Sequence, residues 1–212
     1  MTVIKTQASL FLQSKPASIR LWHWLIFLFF SFSIICVILG STIFKTNYNI
    51  SMVQDQVKEK GGSLTKEQAW NVAHEYSDKL WILHTWFGYG LCILLFWRIL
   101  IEWRLSKEKN LRTRIKMAMG YPKSNNEKKH YLFVQYSYSL FYLLFILMAL
   151  TGLILAFEDI EWLKPFHRTA NSIHSVVQYG IYAFIILHIV GVMRADLGKY
   201  NGVISRMIHG KA

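Results

Sequence analysis

At 212 residues the chain has the length of one domain, but a 53% apolar and 16% aromatic composition with only three prolines excludes an ordinary soluble fold. A formal charge of +12, from 24 Lys and Arg against 12 Asp and Glu, raises nucleic acid as a partner. The distribution of that charge excludes it, because the basic excess sits in blocks flanking four uncharged apolar runs.

The basic residues Lys5, Lys15 and Arg20 precede the first run with no acid among them. Residues 21–44 then contain no Lys, Arg, Asp or Glu. About 20 apolar residues cross the hydrocarbon core of a bilayer, so this run is long enough to span. It exceeds the apolar region of a signal peptide, lacks a small-residue cleavage site and carries His23 between Trp22 and Trp24, so a retained anchor is expected. Segment 41–79 is balanced, with five basic and five acidic residues, and an external loop is expected over 45–79. Gly61 and Gly62 break it. Thr65 and Gln68 then have the spacing of a capping box. Trp70, Ala73, Ser77, Trp81 and His84 follow at helical steps on one face, so the second membrane helix is expected to begin outside the bilayer and run inward.

The second apolar run covers residues 80–97, within a span set at 80–101. A basic segment follows, with Arg104, Lys107, Lys109, Arg112, Arg114, Lys116, Lys123, Lys128 and Lys129, and a turn is expected at Gly120, Tyr121 and Pro122. The third and fourth spans are 131–157 and 169–193, separated by Glu158, Asp159 and Glu161 against Lys164 and Arg168. The tail adds Arg194, Lys199, Arg206 and Lys211. Excess Lys and Arg marks the cytoplasmic side. The expected fold is therefore all-α: an integral membrane four-helix bundle in a single domain, 1–212, with both termini cytoplasmic. Cys36 and Cys92 each stand alone inside a span and form no C-x-x-C pattern, so buried thiols are expected rather than a disulfide or a covalently attached haem.

Eight histidines occur. His74, His130, His167 and His209 lie outside or at the edges of the spans, whereas His23, His84, His174 and His188 lie within them. Burying a polar ring in hydrocarbon is costly, which makes four of them a functional signal. His174 and His188 are 14 residues apart, roughly 21 Å along one helix and ~40° short of four whole turns, so both face one way at two depths. His23 follows Arg20 near the inner side and His84 follows Lys79 near the outer side. The expected pairs are His23 with His188 and His84 with His174, each supplying two axial nitrogens to a b-type haem. His167 competes with His174, but its separation from His188 would span ~31 Å, the whole membrane. A zinc or bare iron site is less attractive, since no carboxylate accompanies the four rings.

Arg98 follows His84 by the same 14 residues, which places it at the depth of the inner haem. With no acid in its own span, it is a candidate partner for a haem propionate, against the alternative of a cation reaching to the interface. Gly88 and Gly191 each lie about one turn from a ligand candidate and suit either a flat macrocycle or a helix contact. Trp22, Trp24 and Trp103 suit an interfacial belt.

These residues carry a family resemblance over most of the chain. Arg20, Leu21, Trp22, His23 and Trp24 open the first helix, and His84, Thr85, Trp86, Phe87, Gly88, Tyr89 and Gly90 lead to Arg98 in the second. His174 and His188 are followed by Met193, Arg194, Ala195 and Asp196. The pattern resembles the bacterial cytochrome b561 and nickel–iron hydrogenase cytochrome b family, with the tail at 202–211 similar to the hydrogenase-associated branch. The resemblance implies a dihaem membrane cytochrome of the bacterial inner membrane, passing electrons between quinone and a periplasmic oxidoreductase or electron carrier. It places the four ligands at His23, His84, His174 and His188. The long 41–79 loop departs from the family and leaves the external partner open. His130, Tyr131, Arg98 and Arg104 are candidates for a quinone site. A self-contained superoxide:quinone oxidoreductase and a haem-free transporter or scaffold are the competing readings.

Overall fold

The computed structural model describes residues 16–104, 113, 116, 126–198 and 200–210. The basic residues Lys5, Lys15, Lys107, Lys109, Arg112, Arg114, Lys123, Lys199 and Lys211 lie outside them, as does the expected turn at Gly120, Tyr121 and Pro122. The described residues contain no strand. In chain order they form α1 (Ala17–Ser41), α2 (Thr46–Glu59), α3 (Lys66–Arg104), α4 (Asn126–Ala156), a 3-10 helix (Glu161–Phe166), α5 (His167–Asp196) and α6 (Val203–His209). Four stretches are long and apolar enough to cross a membrane: Ala17–Ser41, Lys66–Arg104, Leu132–Ala156 and Glu161–Asp196. The protein is an all-α, multi-pass membrane protein. Large apolar side chains point outward along these helices, among them Ile93, Phe96, Val176 and Leu187, each more than half exposed, as lipid-facing positions require.

The chain divides into two compact units, residues 25–93 and residues 1–24 with 94–212. In the first, α1 ends at Ser41, three residues short of the expected 44. The hydroxyls of Ser41 and Thr42 donate to the carbonyls of Val37 and Ile38, closing the last turn. The segment read as a loop over 45–79 is largely helical. α2 occupies Thr46–Glu59, and Ile50, Val53 and Val57 are its half-buried face. Gly61, at φ +81, then turns the chain, while the N–H of Gly62 reaches the Val57 carbonyl at 3.0 Å. The expected capping box is reciprocal: the Gln68 N–H donates to Thr65 Oγ1 (3.2 Å), and the Thr65 N–H donates to Gln68 Oε1 (2.9 Å). From there α3 runs unbroken for 39 residues, ~58 Å. On its first turns Ala69, Ala73 and Ser77 are buried, while Trp70 and Trp81 lie exposed at the margins of that face.

α1 and α3 approach closely at Gly90, where a Cβ would collide with the Phe29 ring. Phe87 fills the adjoining space, edge-on to Phe29 (5.8 Å) and stacked on Phe32 (5.2 Å).

In the second unit α4 packs on α5. Phe145 and Ile181 are each 1% exposed, and the Phe141 and Phe184 rings stack at 4.6 Å. The 3-10 helix carries Pro165 and delivers the chain into α5 at His167, two residues before the expected start at 169. α6 follows Gly202, at φ +86, and its Ile204 N–H donates to Asp196 Oδ1 (3.1 Å).

Gly90→Ala should lower stability in detergent by about 1–3 kcal/mol through overpacking. A second change, Phe29→Leu, should recover most of the loss in thermal unfolding. An unchanged unfolding midpoint in the single variant would remove Gly90 from the α1–α3 contact.

Candidate functional site

His23, one turn into α1 from Arg20, meets His188 of α5 with ring centroids 6.3 Å apart and planes inclined by 57°. Trp24 lies edge-on to His23 at 5.4 Å, and Phe184 stacks on His188 at 5.8 Å. These aromatics wall the pair. His23 Nδ1 is buried with no hydrogen-bond partner among the described residues. Two imidazoles on opposite sides of one metal, with bonds of about 2.0 Å and a ring radius of about 1.1 Å, have centroids roughly 6 Å apart. The observed spacing fits two axial ligands of one iron.

His174 of α5 is oriented by α4. Its Nδ1 lies 3.0 Å from Thr151 Oγ1, and Thr151 is 5% exposed. The Thr151 hydroxyl donates its single proton to the Leu147 carbonyl at 2.7 Å. A hydroxyl that donates there accepts from the imidazole, the arrangement in which Nδ1 carries the proton and Nε2 keeps its lone pair. Gly152 leaves room for the ring, since a Cβ there would stand 3.3 Å from His174 Cε1.

His84 of α3 is held in the same way by α1. Its Nδ1 lies 3.0 Å from the Ser33 hydroxyl and 3.4 Å from the Ser33 carbonyl. A carbonyl only accepts, so an Nδ1–H satisfies it and again frees Nε2. Trp81 stands edge-on at 5.9 Å. Neither Ser33 nor Thr151 was singled out in the sequence, although each is a hydroxyl inside an apolar run, which was the available signal.

Two sequence readings change. Arg98 was matched with a propionate because its span lacked an acid, but α3 continues to Arg104 and includes Glu102, whose Oε2 lies 2.8 Å from Arg98 Nη1. Arg98 Nε also donates to Tyr142 Oη at 2.8 Å, and the guanidinium lies 5.6 Å from the ring centroids of both Trp22 and Tyr142. Trp22, expected in the interfacial belt, is instead 6% exposed and donates to the Leu94 carbonyl at 2.7 Å. Trp24 and Trp103 are exposed. Gly88 and Gly191 meet nothing within 4 Å of an added Cβ, so no helix contact among the described residues accounts for them.

Of the other histidines, His74 stacks on Trp70 (4.4 Å) and pairs with Asp78 (3.4 Å), and His130 stacks on Tyr200 (6.2 Å). His167 Nε2 is buried without a hydrogen-bond partner among the described residues. The side chain of Tyr131 lies outside the described set. Among the described residues no group of three or more His, Cys, Asp or Glu is arranged to hold a metal ion. A haem needs only two protein ligands, because its macrocycle supplies the other four nitrogens.

For a haem bound through His174, Thr151→Val should raise the haem dissociation rate by about 10–100-fold, and Thr151→Ser should restore it. Transfer of haem to an apoprotein acceptor measures this, and equal rates in all three proteins would rule out the orienting role.

A family model described as prokaryotic cytochrome b561 matches residues 15–210. No curated relative and no solved structure matches the chain. The match covers nearly the whole sequence, and the chain belongs to the prokaryotic cytochrome b561 family.

Proposed function

We propose that this membrane b-type cytochrome, an electron-transfer protein by its family, holds two haems b and links the quinone pool to a redox partner outside the cytoplasm. His23 and His188 ligate one haem, and His84 and His174 the other. The observation that carries the reading is the His23–His188 pair, whose 6.3 Å ring separation suits two axial ligands. The 14-residue step from His174 to His188 supports a second site roughly 21 Å along α5.

Bound haem supplies a one-electron Fe(III)/Fe(II) couple. The protein's own residues set the conditions for it. Thr151 and Ser33 hold two imidazoles in the tautomer that presents Nε2. Trp24 and Phe184 set apolar rings against the other pair, and Phe141 backs Phe184. Burial of this kind favours fast transfer by removing solvent that would have to reorganise.

The charge pattern supports both termini on the cytoplasmic side of a bacterial inner membrane. On that topology the α2 region and the start of α3 face the periplasm, where an oxidoreductase or soluble carrier would dock. The quinone site belongs near the basic inner face, beside His130 and Arg104.

Protein purified from membranes should contain two haems per chain by haemochrome assay. His188→Ala and His174→Ala should each leave one, with different midpoint potentials, and a quinol analogue should reduce the wild-type haems. A content of one haem in the wild type, or two in His188→Ala, would refute the assignment.

A further inference from the structure

Two arginines carry buried charge that no described residue balances. Nε and Nη1 of Arg20 and Nη1 of Arg206 are buried without a hydrogen-bond partner among the described residues. None of the ion pairs among those residues includes either arginine. A guanidinium does not lose its proton in proteins, so burial cannot be relieved by neutralisation. A buried cation of this kind calls for an anion.

Both arginines belong to one small assembly at the start of α1. The Arg20 guanidinium packs on Gly210 so closely that a Cβ there would collide with its Nη1. Gly210, at φ +82, donates its N–H to the Arg206 carbonyl at 3.0 Å. One turn along α1 from Arg20, Trp24 donates to the Met207 carbonyl at 3.2 Å. The acids of this unit with resolved contacts are engaged elsewhere: Glu102 with Arg98, Asp196 with the Ile204 N–H, and Glu161 with Lys164. Arg20 also precedes His23 by three residues, a spacing that puts the two side chains side by side on one helix face.

We propose that Arg20 and Arg206 form an anion site, closed by the α6 segment, whose occupant is a propionate carboxylate of the haem held by His23 and His188. The proposal rests on the ligand assignment above and moves the propionate contact from Arg98 to these two residues. A guanidinium matches a carboxylate with two parallel N–H donors, which satisfies the orphaned groups in one contact. A lipid phosphate has the same chemistry, and titration in a phosphate-free detergent separates the two sources.

The test is a redox titration of the full-length protein in phosphatidylglycerol nanodiscs and, separately, in lipid-depleted dodecyl maltoside micelles, which carry no phosphate. A cation beside a propionate favours the form that carries the extra electron. Arg20→Gln and Arg206→Gln should therefore keep both haems and lower one midpoint potential, by about tenfold in the reduction equilibrium or 59 mV for a one-electron couple. The other potential should not move, the shift should be the same in both media, and Arg20→Lys should recover most of it. Gly210→Ala displaces the Arg20 guanidinium without removing its charge, so it should give a smaller shift of the same sign. It also carries the test if Arg20→Gln does not assemble. Unchanged potentials in Arg206→Gln and Gly210→Ala would overturn the proposal, and so would a shift seen only in phosphatidylglycerol, which assigns the site to a lipid phosphate. His23→Ala separates this outcome from the ligand assignment: two haems remaining in that variant would refute the assignment whatever the arginine variants do.

Discussion

An imidazole inside hydrocarbon has two polar nitrogens and little water to serve them, and most of the site follows from how each is satisfied. For His174 and His84 one nitrogen is settled by a hydroxyl on the neighbouring helix, Thr151 and Ser33 respectively. At Thr151 the hydroxyl also lies 2.7 Å from the Leu147 carbonyl on its own helix, and a proton directed there leaves the hydroxyl to accept from His174. An imidazole protonated at Nδ1 keeps its Nε2 lone pair. On the proposed ligation these buried hydroxyls would orient the rings, and they come from α4 and α1 rather than from the helix that bears each histidine. At the other pair the rings face each other at 6.3 Å, and His23 Nδ1 has no partner among the described residues. His23 therefore differs from His84 and His174 in its hydrogen bonding, and a difference of that kind between haem ligands is one of the levers by which a protein separates haem potentials.

Much of this architecture was legible in the chain because bilayer thickness and helical phase are simple constraints. Four uncharged runs gave the four spanning helices, and Thr65 with Gln68 marked where α3 begins, well ahead of its apolar stretch. The 14-residue step on α5 placed two histidines on one face. What was hidden depends on partners distant in sequence. Nothing local to Thr151 distinguishes it from any hydroxyl bonded to its own helix, and its importance lies in facing a ring 23 residues away. Trp22 has the composition of a headgroup anchor and is instead buried, because a carbonyl of α3 accepts its indole N–H. α2 was missed for another reason. Its apolar positions Ile50, Val53 and Val57 have helical spacing, but they were diluted by polar residues in a segment whose balanced charge suggested a loop.

Arg98 and Arg20 show how phase and environment can part company. The periodicity of α3 put Arg98 on the face of His84, and that geometry made it the natural cation for a propionate. Phase determines where a side chain leaves its helix, not what it then meets. One further turn of α3 supplies Glu102, and α4 supplies Tyr142, so the Arg98 charge is already compensated. Arg20 looked like one member of a basic cluster that marks topology, a role in which a lysine would serve equally well. Its contacts argue for more. A residue needed only for the positive-inside bias has no reason to bury its guanidinium against Gly210, nor does the tail need a left-handed glycine at the point where that guanidinium lies. The Trp24–Met207 hydrogen bond, which fastens the same segment to α1, makes the contact part of a built surface. On the proposal above, α6 covers the start of α1, so a charge held there would act on a haem at His23 through protein rather than through water, where its effect would be largely screened.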